Sequence, residues 1–202
     1  MMRNLSIATA LLLTAACGNA APAAKASGAT ATAVFAGGCF WCTEADFDKV
    51  PGVISTTSGY TGGTTARPTY EQVTAGGTGH YEAVKVVYDP GRVSYATLVE
   101  RFCPTIDPTD GGGQFCDRGD SYLSAIFVTP DQRAVAEGSK ARLAKRAVLP
   151  APIATTIRAA APFYPAEGYH QNYYKKNPVR YRFYRTSCGR DARLDAVWKK
   201  AS

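Results

Sequence analysis

The clearest alternation of polar and apolar positions along the chain lies between His80 and Tyr88. Side chains two residues apart share one face of a β-strand, so Glu82, Val84 and Val86 point the same way. The turn residues 89–91 end the strand. Because an unpaired buried charge is costly, the Glu82 carboxyl among these valines is expected to be paired or protonated.

Similar patterns along the rest of the chain predict a mixture of strands and helices. Runs of β-branched and small residues predict strands at 30–35, 52–58, 80–88, 121–128 and 153–157. Helical spacing of apolar residues, with capping residues and breakers, predicts helices at 43–50, 67–73, 94–102, 129–146, 166–175 and 194–198. Glycine-rich or polar stretches predict loops at 59–63 and 107–120. The intermingled order predicts a single domain of the α/β (α+β) class.

The first residues do not fit this domain pattern. Arg3 precedes an apolar run, 7–13, that is too short to span a bilayer, and small residues then lead to Cys17. The pattern predicts an export signal over 1–17 and resembles a lipoprotein signal, in which Cys17 becomes the lipidated first residue. Cleavage by an ordinary signal peptidase after the small residues 18–20 is the alternative. A lipid at Cys17 would tether the protein to a membrane without a spanning helix.

Composition divides the remainder of the chain at about residue 33. Residues 18–32 are rich in alanine and have the composition of a mobile linker. Residues 33–202 suffice for one domain with a sizeable core, since the 202-residue chain is 46% hydrophobic and 19% charged. Because an export signal is predicted over 1–17, the expected location is outside the cytoplasm, either in a bacterial periplasm or on a membrane as a lipoprotein.

The formal net charge is +7, and much of the excess lies late in the chain. The basic residues concerned are Lys175, Lys176, Arg180, Arg182, Arg185, Arg190 and Arg193. A basic face can attract anionic lipid or nucleic acid. No basic-aromatic nucleic-acid motif accompanies these residues, so we expect a solvated surface and no nucleic-acid partner.

Cysteine usage points to at least one reactive thiol. The six cysteines are Cys17, Cys39, Cys42, Cys103, Cys116 and Cys188. If Cys17 carries a lipid, the other five cannot all pair within one monomer, and an odd thiol in an exported protein is a candidate for reactivity. Their spacing does not resemble that of a small disulfide scaffold.

The leading candidate is Cys39, which lies between a predicted strand end and the first turn of a predicted helix. Unpaired backbone N–H groups and the positive end of the helix dipole favour thiolate over thiol there, and the thiolate is the nucleophile. Phe40 and Trp41 add a large apolar wall beside it. A buried structural cysteine is the alternative, because free cysteine is among the most buried residue types.

Seven short motifs are distributed along most of the predicted domain. They are Gly38-Cys39-Phe40-Trp41, Gly59-Tyr60-Thr61-Gly62-Gly63, Pro68-Thr69-Tyr70, Gly79-His80-Tyr81-Glu82-Ala83-Val84, Asp107-Pro108-Thr109, Asp117-Arg118-Gly119-Asp120-Ser121-Tyr122 and Phe163-Tyr164-Pro165-Ala166-Glu167-Gly168-Tyr169-His170-Gln171. Each motif alone is weak, but together and in this order they resemble the A-type peptide methionine sulfoxide reductases from about Ala33 to Cys188.

The resemblance implies thiol-based reduction of methionine S-sulfoxide, in proteins and free, as repair of oxidative damage. Cys39 would attack the sulfoxide sulfur and become a sulfenic acid. The other residues that match family positions are Glu82 as acid/base, Tyr70 and Tyr122 as donors to the oxygen, Asp117 as a supporting acid, and Phe40 and Trp41 around the methyl group. The family also implies a monomeric two-layer sandwich of a mixed sheet and helices, with a ferredoxin-like plait and without a metal or organic cofactor.

Recycling requires a second thiol, with which the sulfenic acid condenses to a disulfide. Cys188 is the expected resolving thiol, because a mobile tail can reach the sulfenic acid. Cys42, one helical turn from Cys39, and Cys116 are the alternatives. The expected partners are methionine-oxidised proteins and a thioredoxin-like reductant, which would reduce the disulfide.

Three other interpretations stay open. The C-x-x-C formed by Cys39 and Cys42 could act as a thiol–disulfide oxidoreductase. A lipid-anchored binding module with structural disulfides is a non-enzymatic alternative. Finally, His80 and His170 could bind zinc with the cysteines. No second C-x-x-C supports a zinc site at finger-like spacing, so both histidines are expected to be structural.

Overall fold

The computed structural model describes residues 28–146 and 149–198. The strands are β1 (Ala31–Gly37), β2 (Val53–Thr61), β3 (Tyr81–Tyr88), β4 (Gly113–Gln114), β5 (Asp117–Arg118), β6 (Ser124–Val128), β7 (Thr156–Ala159) and β8 (Phe163–Pro165). The helices are α1 (Phe40–Phe47), α2 (Tyr70–Ala75), α3 (Tyr95–Phe102), α4 (Pro130–Arg146), α5 (Tyr173–Lys176), α6 (Pro178–Ser187) and α7 (Arg190–Trp198). Short 3₁₀ turns span Cys103–Thr105 and Asp120–Tyr122. The predicted signal, 1–17, and most of the predicted linker lie outside the described residues.

Six strands form one mixed sheet in the order β7-β6-β1-β3-β2-β8. The pairs from β6 to β8 are antiparallel, whereas β7 runs parallel to β6. Strands β4 and β5 pair separately, within the long polar loop. Since β1 and β3 are antiparallel neighbours in the middle of the sheet, the last residues of β1 lie beside the first residues of β3.

The alternation along β3 separates two apolar clusters. Val84 and Val86 belong to the larger cluster, together with apolar residues of α1 and α3. Tyr81 and Ala83 belong to a smaller cluster on the other face. Glu82 is on the face that the helices cover and is 2% exposed. The Glu82 carboxyl is therefore buried between the sheet and the helices that cover this face.

Two helices begin directly after the capping residues that the sequence predicted. At α3 the Ser94 hydroxyl accepts a hydrogen bond from the Thr97 N–H at 3.1 Å. At α4 the Thr129 N–H donates to the side chain of Gln132 at 3.3 Å, and Pro130 is the first helical residue. Both helices are therefore confirmed with nearly the predicted bounds, because their start signals are local.

The predicted loop at 59–63 is wrong in its first half, where β2 continues to Thr61. Gly59 pairs with Pro165 of β8, a strand that the sequence did not predict. A Cβ on Gly59 would lie 2.4 Å from the Tyr164 carbonyl oxygen. Glycine therefore allows two backbones to approach closely here, rather than making a turn.

The predicted helix at 166–175 is largely absent. Only α5 is helical in this region, and it begins after Asn172, whose φ of +53° is left-handed. A residue in that conformation interrupts a right-handed helix. Helix α6 was not predicted; it begins at Pro178, a residue type that is favoured at the first position of a helix.

The α/β class is confirmed, since helices pack on a single mixed sheet. The finer expectation of a ferredoxin-like plait stays a prediction. Within 28–146 and 149–198, none of the helices combines the length and the apolar character needed to cross a membrane.

Candidate active site

Cys39 caps the N-terminus of α1, directly after the central strand β1. The turn between them depends on Gly38, whose φ is +75°. A Cβ at this position would lie 2.5 Å from the Cβ of Gln114. Glycine satisfies both the left-handed backbone and the close contact. This turn buries the Cys39 thiol, and the residue is only 5% exposed.

The carboxyl of Glu82 reaches the start of α1 from β3. Its Oε2 accepts a hydrogen bond from the Phe40 N–H at 3.0 Å, which satisfies one of the free N–H groups at the helix start. Burial raises the pKa of Glu82 to about 8, although this hydrogen bond acts in the opposite direction. The carboxyl is therefore hydrogen-bonded and mostly protonated at neutral pH.

The expectation of a thiolate on Cys39 is wrong for this resting arrangement. Burial raises the pKa of Cys39 well above its usual value, and Cys42 and Glu82 raise it further. The Tyr184 hydroxyl, which hydrogen-bonds the thiol, acts in the opposite direction. Because Glu82 accepts the Phe40 N–H, the helix start contributes less to the sulfur than the sequence suggested. Cys39 is therefore a protonated thiol before substrate binds.

Cys42 lies one helical turn after Cys39 and is 1% exposed. A hydrogen bond from Cys39 lowers the pKa of Cys42 to about 7; burial opposes this shift, while Arg190 and Arg185 assist it. The two thiols therefore titrate as a pair, and their protons leave in two steps that belong to both residues. Near neutral pH the pair can hold one thiol and one thiolate.

Two tyrosine hydroxyls complete the cluster around Cys39. Tyr70 begins α2, and Tyr122 ends the 3₁₀ turn before β6. The two hydroxyls hydrogen-bond each other, and burial raises the pKa of Tyr70 to about 12 and that of Tyr122 as well. Glu82, Asp117 and Cys39 all add to both shifts. The structure thus brings together the five residues to which the sequence assigned catalytic roles.

Asp117 joins this cluster through a residue that the sequence analysis missed. The Tyr184 hydroxyl donates a short hydrogen bond to Oδ2 of Asp117 and also contacts the Cys39 thiol. Burial raises the pKa of Asp117, whereas Tyr184 and Arg190 lower it. Tyr184 comes four residues before Cys188 on α6, and this helical spacing was its only sequence signal.

The two aromatic residues after Cys39 have different environments. Trp41 is half-buried, stacks on Tyr173 with ring centroids 3.8 Å apart, and donates from Nε1 to Nδ1 of His170 at 3.0 Å. Phe40 is 1% exposed and packs between His170 and Tyr60 in the larger cluster. Trp41 is therefore the better placed of the two to contact a bound molecule.

Both histidines have contacts that explain them structurally. Nδ1 of His80 accepts the Gly63 N–H at 3.2 Å, and its Nε2 lies 2.7 Å from the Thr65 carbonyl oxygen. His170 accepts the Trp41 indole N–H, and burial lowers the pKa of His170. The His80 imidazole thus fixes the loop at 63–65, and the His170 imidazole fixes the Trp41 ring.

Cys188 forms a disulfide with Cys116, and the two Cα atoms lie 4.9 Å apart. Cys39, Cys42 and Cys103 are free thiols. Sγ of Cys188 lies 4.0 Å from Oδ2 of Asp117, so the disulfide borders the cluster around Cys39. Among the described residues, Cys116, Asp117 and Cys188 are close enough to share a metal ion. Two of these three potential ligands are used by the disulfide.

Arg190 is not part of the solvated basic surface that the sequence predicted. It is 1% exposed and donates hydrogen bonds to the carbonyl oxygens of Gly37, at 3.3 Å, and Thr105, at 2.7 Å. Its guanidinium also lies 4.5 Å from the ring centroid of Phe115. This buried cation ties the tail to the end of β1 and brings positive charge towards Cys42.

Comparison with known families gives one match over nearly the whole described domain. Residues 31–202 match the family model described as peptide methionine sulfoxide reductase. A protein of Caulobacter vibrioides named peptide methionine sulfoxide reductase MsrA 2 is 53% identical over 197 residues, which cover 98% of this chain and 99% of that one. The MsrA of Bacillus subtilis is 53% identical over 167 residues, covering 82% of this chain and 94% of the relative.

Solved structures show the same similarity. Methionine sulfoxide reductase A of Corynebacterium diphtheriae superimposes with a TM-score of 0.66 at 35% identity, covering 76% of this chain and 78% of that chain. The reduced form of Mxr1 from Saccharomyces cerevisiae has a TM-score of 0.68 at 30% identity, covering 77% and 88% respectively.

Proposed function

Because the chain belongs to the peptide methionine sulfoxide reductase family, it is an oxidoreductase that reduces methionine sulfoxide, and we propose that Cys39 performs the first chemical step. The observation that carries this proposal is the cluster of Cys39 with a protonated Glu82 and two tyrosine hydroxyls. Sulfur attack on a sulfoxide needs a nucleophile and a proton donor for the departing oxygen. The cluster supplies both.

Proton movement follows from the relative acidities in the cluster. As Cys39 attacks the sulfoxide sulfur, its proton passes to the Cys42 thiolate, to which it is already hydrogen-bonded. Glu82 donates a proton to the sulfoxide oxygen, and Tyr70 and Tyr122 hydrogen-bond that oxygen as negative charge develops. The resulting hydroxyl then transfers to the Cys39 sulfur as the new bond between the two sulfurs breaks, and the products are methionine and a Cys39 sulfenic acid that carries the oxygen.

Selectivity for one sulfur epimer follows from an apolar wall and hydrogen-bond donors that occupy fixed positions around the sulfoxide. Trp41 holds the methyl group on one side, while the hydroxyls of Tyr70 and Tyr122 fix the oxygen on another. Inverting the sulfur would exchange the oxygen and the lone pair, and the oxygen would then lose its donors. The S epimer is the expected substrate, with Phe40 supporting the pocket from behind. Since Tyr184 covers Cys39, a methionine sulfoxide in a protein gains access when the segment bearing Tyr184 moves.

Cys188 is the resolving thiol in this proposal, with Cys42 and Cys116 as the alternatives. Cys188 borders the cluster through Asp117, and its thiol would condense with the sulfenic acid to release water. A thioredoxin-type dithiol then reduces the enzyme, which acts as a monomer. All electrons come from thiols, so the proposed reaction needs no metal or organic cofactor.

Disulfide exchange by Cys39 and Cys42 alone is a weaker candidate. Their hydrogen bond and the lowered pKa of Cys42 suit such chemistry. However, the two residues are only 5% and 1% exposed. A partner protein would have to bring its own sulfur against one of these buried sulfurs, and such exchange would leave the protonated Glu82 and the two tyrosine hydroxyls without a role.

The reductase proposal is tested with a racemic methionine sulfoxide in a blocked peptide and dithiothreitol as the reductant. We expect the S epimer to disappear and the R epimer to remain, as chiral chromatography would show. Consumption of both epimers would contradict the fixed-donor pocket. No consumption, with Cys39 shown to be reduced, would contradict the assignment of Cys39 itself.

The location is part of the same proposal and rests on the first residues of the chain. An export signal ending at a lipidated Cys17 would place the domain at a membrane surface, joined by the linker 18–32. In a bacterial host, Cys17→Ser should move the protein from the membrane fraction to the soluble periplasmic fraction. Intact mass of the mature wild-type protein would show the lipid. An unlipidated N-terminus beyond Cys17 would instead support ordinary signal peptidase.

A further inference from the structure

Two contacts hold the Trp41 indole, and they restrict different motions of the ring. The indole stacks on Tyr173 with ring centroids 3.8 Å apart and planes 8° from parallel. Such stacking fixes the plane of the ring but leaves the ring free to turn within that plane. Nε1 of Trp41 also donates to Nδ1 of His170 at 3.0 Å, and this directional bond fixes the remaining orientation. The position of the apolar wall that Trp41 forms therefore depends on one nitrogen of His170.

The same hydrogen bond determines where the imidazole of His170 carries its proton. An indole N–H can only donate, so Nδ1 of His170 must present a lone pair and carry no proton. In the neutral imidazole the single ring proton then lies on Nε2. Nε2 is buried without a hydrogen-bond partner among the described residues, and Oε2 of Glu167 lies 3.9 Å from it. The contact with Trp41 therefore requires a neutral His170.

The surroundings of His170 favour this neutral state. The residue is 1% exposed. Three further aromatic rings pack against the imidazole with centroids 4.2 to 4.9 Å away, those of Tyr169, Tyr70 and Phe40. Burial lowers the pKa of His170, whereas the carboxylates of Glu167 and Glu71 act in the opposite direction. Because burial outweighs the two carboxylates, His170 is neutral at pH 7.

Protonation of His170 would break its contact with Trp41. An imidazolium carries a proton on both nitrogens, so Nδ1 and the indole nitrogen would face each other as two donors. The indole would keep its stacking contact but lose the bond that orients it. The hydrogen bonds of Glu82 and Cys39 do not involve His170. The charge of His170 therefore acts on the wall of the pocket and leaves the reacting groups in place.

We propose that neutral His170 is a positioning residue, which orients Trp41 so that the pocket can bind the methyl group of the sulfoxide. This inference rests on the proposed function, in which Trp41 forms the wall beside that methyl group. The effect is on substrate binding and not on the proton transfers at Cys39. Because the pKa of His170 is lower than 6.5, KM should be constant near neutral pH and should rise as the solution becomes more acidic.

Two substitutions separate the hydrogen bond of His170 from the bulk of its ring. His170→Asn keeps an acceptor atom at the position of Nδ1 but does not titrate, whereas His170→Leu has no acceptor. With dithiothreitol as the reductant, His170→Leu should raise KM for a blocked methionine sulfoxide by about tenfold and change kcat by less than about twofold. His170→Asn should have a KM within about threefold of the wild type. Equal KM values for the two variants, or a loss confined to kcat, would overturn the proposal.

The pH profile of KM gives a readout that a purely structural role would not move. In the wild type, KM should rise by about fivefold between pH 7 and pH 5, and His170→Asn should show no such rise. The matched control is His80→Asn, because His80 is equally buried and its Nδ1 likewise accepts an N–H, that of Gly63. This control should keep the wild-type profile. A wild-type KM that does not change with pH would contradict the proposal.

Nuclear magnetic resonance tests the contact itself without any catalysis. The chain has two tryptophans, so Trp198→Phe identifies the indole N–H signal of Trp41. That signal should shift when the pH falls below 6.5 and should shift again when His170→Leu removes the acceptor. A signal that ignores both changes would overturn the proposal. If the signal responds but no sulfoxide is reduced at any pH, the proposed function is refuted instead.

Discussion

Cys39→Ser is expected to abolish reduction of methionine sulfoxide, with a fall in rate of about 10⁴-fold or more. A serine hydroxyl is a much weaker nucleophile and cannot form the disulfide that completes the cycle. Methionine released from an oxidised peptide, measured with dithiothreitol in excess, gives the rate. Because Cys39 is buried, the oxygen atom should fit with little change in packing, and circular dichroism should show the same fold.

Cys103→Ser is the control for loss of a thiol as such. Burial raises the pKa of Cys103 to about 11, and this thiol has no hydrogen bond to the catalytic cluster in the described structure. Its replacement should leave sulfoxide reduction unchanged. If Cys39→Ser retained substantial activity that was lost only on further replacement of Cys42, then Cys42 would be the attacking thiol.

Glu82→Gln is expected to lower kcat/KM by about 10²- to 10⁴-fold, the usual contribution of general acid catalysis. The amide oxygen can still accept the Phe40 N–H, so the start of α1 should keep its hydrogen bond. What the variant loses is the proton for the departing oxygen. The rate of the wild type should fall as pH rises through about 8, the pKa of Glu82, and this fall should be absent from the variant.

The same substitution should raise stability while it lowers activity. Burial puts the folded-state pKa of Glu82 above its value in the unfolded chain, about 4.5. Between pH 4.5 and 8 the unfolded state therefore loses this proton before the folded state does, and the wild type becomes less stable as pH rises. Glutamine removes that penalty, so thermal melting at pH 8 should show a higher Tm for Glu82→Gln. A lower Tm would mean that the carboxyl is ionised and paired in the folded protein.

Local signals explain which parts of the fold were predictable. Ser94 and Thr129 start helices by contacts within three residues, and the alternation around Val84 identifies a strand face without knowledge of its neighbours. By contrast, Gly59 looked like a turn residue because the strand that approaches it, near Tyr164, lies more than 100 residues later. A short edge strand of this kind has little signal of its own.

The residues of the site also divide into those that local sequence could predict and those that only folding brings together. Cys39, Glu82 and Tyr70 were predicted because they lie in motifs that resemble those of a known family. Tyr184 and Arg190 lie in a basic tail without such a motif, and only folding brings them to β1 and Asp117. The prediction of a thiolate at Cys39 was wrong because the pKa of this thiol depends on its burial by residues distant in the sequence. A strand-to-helix pattern does not reveal that burial.

The burial and protonation of Cys39 also bear on how the protein survives its own working conditions. Hydrogen peroxide and similar oxidants, which convert methionine to its sulfoxide, attack exposed thiolates most readily. In the structure the catalytic sulfur is buried, and this burial raises the pKa of its thiol and so disfavours the thiolate. An enzyme built this way can wait among the oxidants that create its substrate without its reactive sulfur being consumed by them.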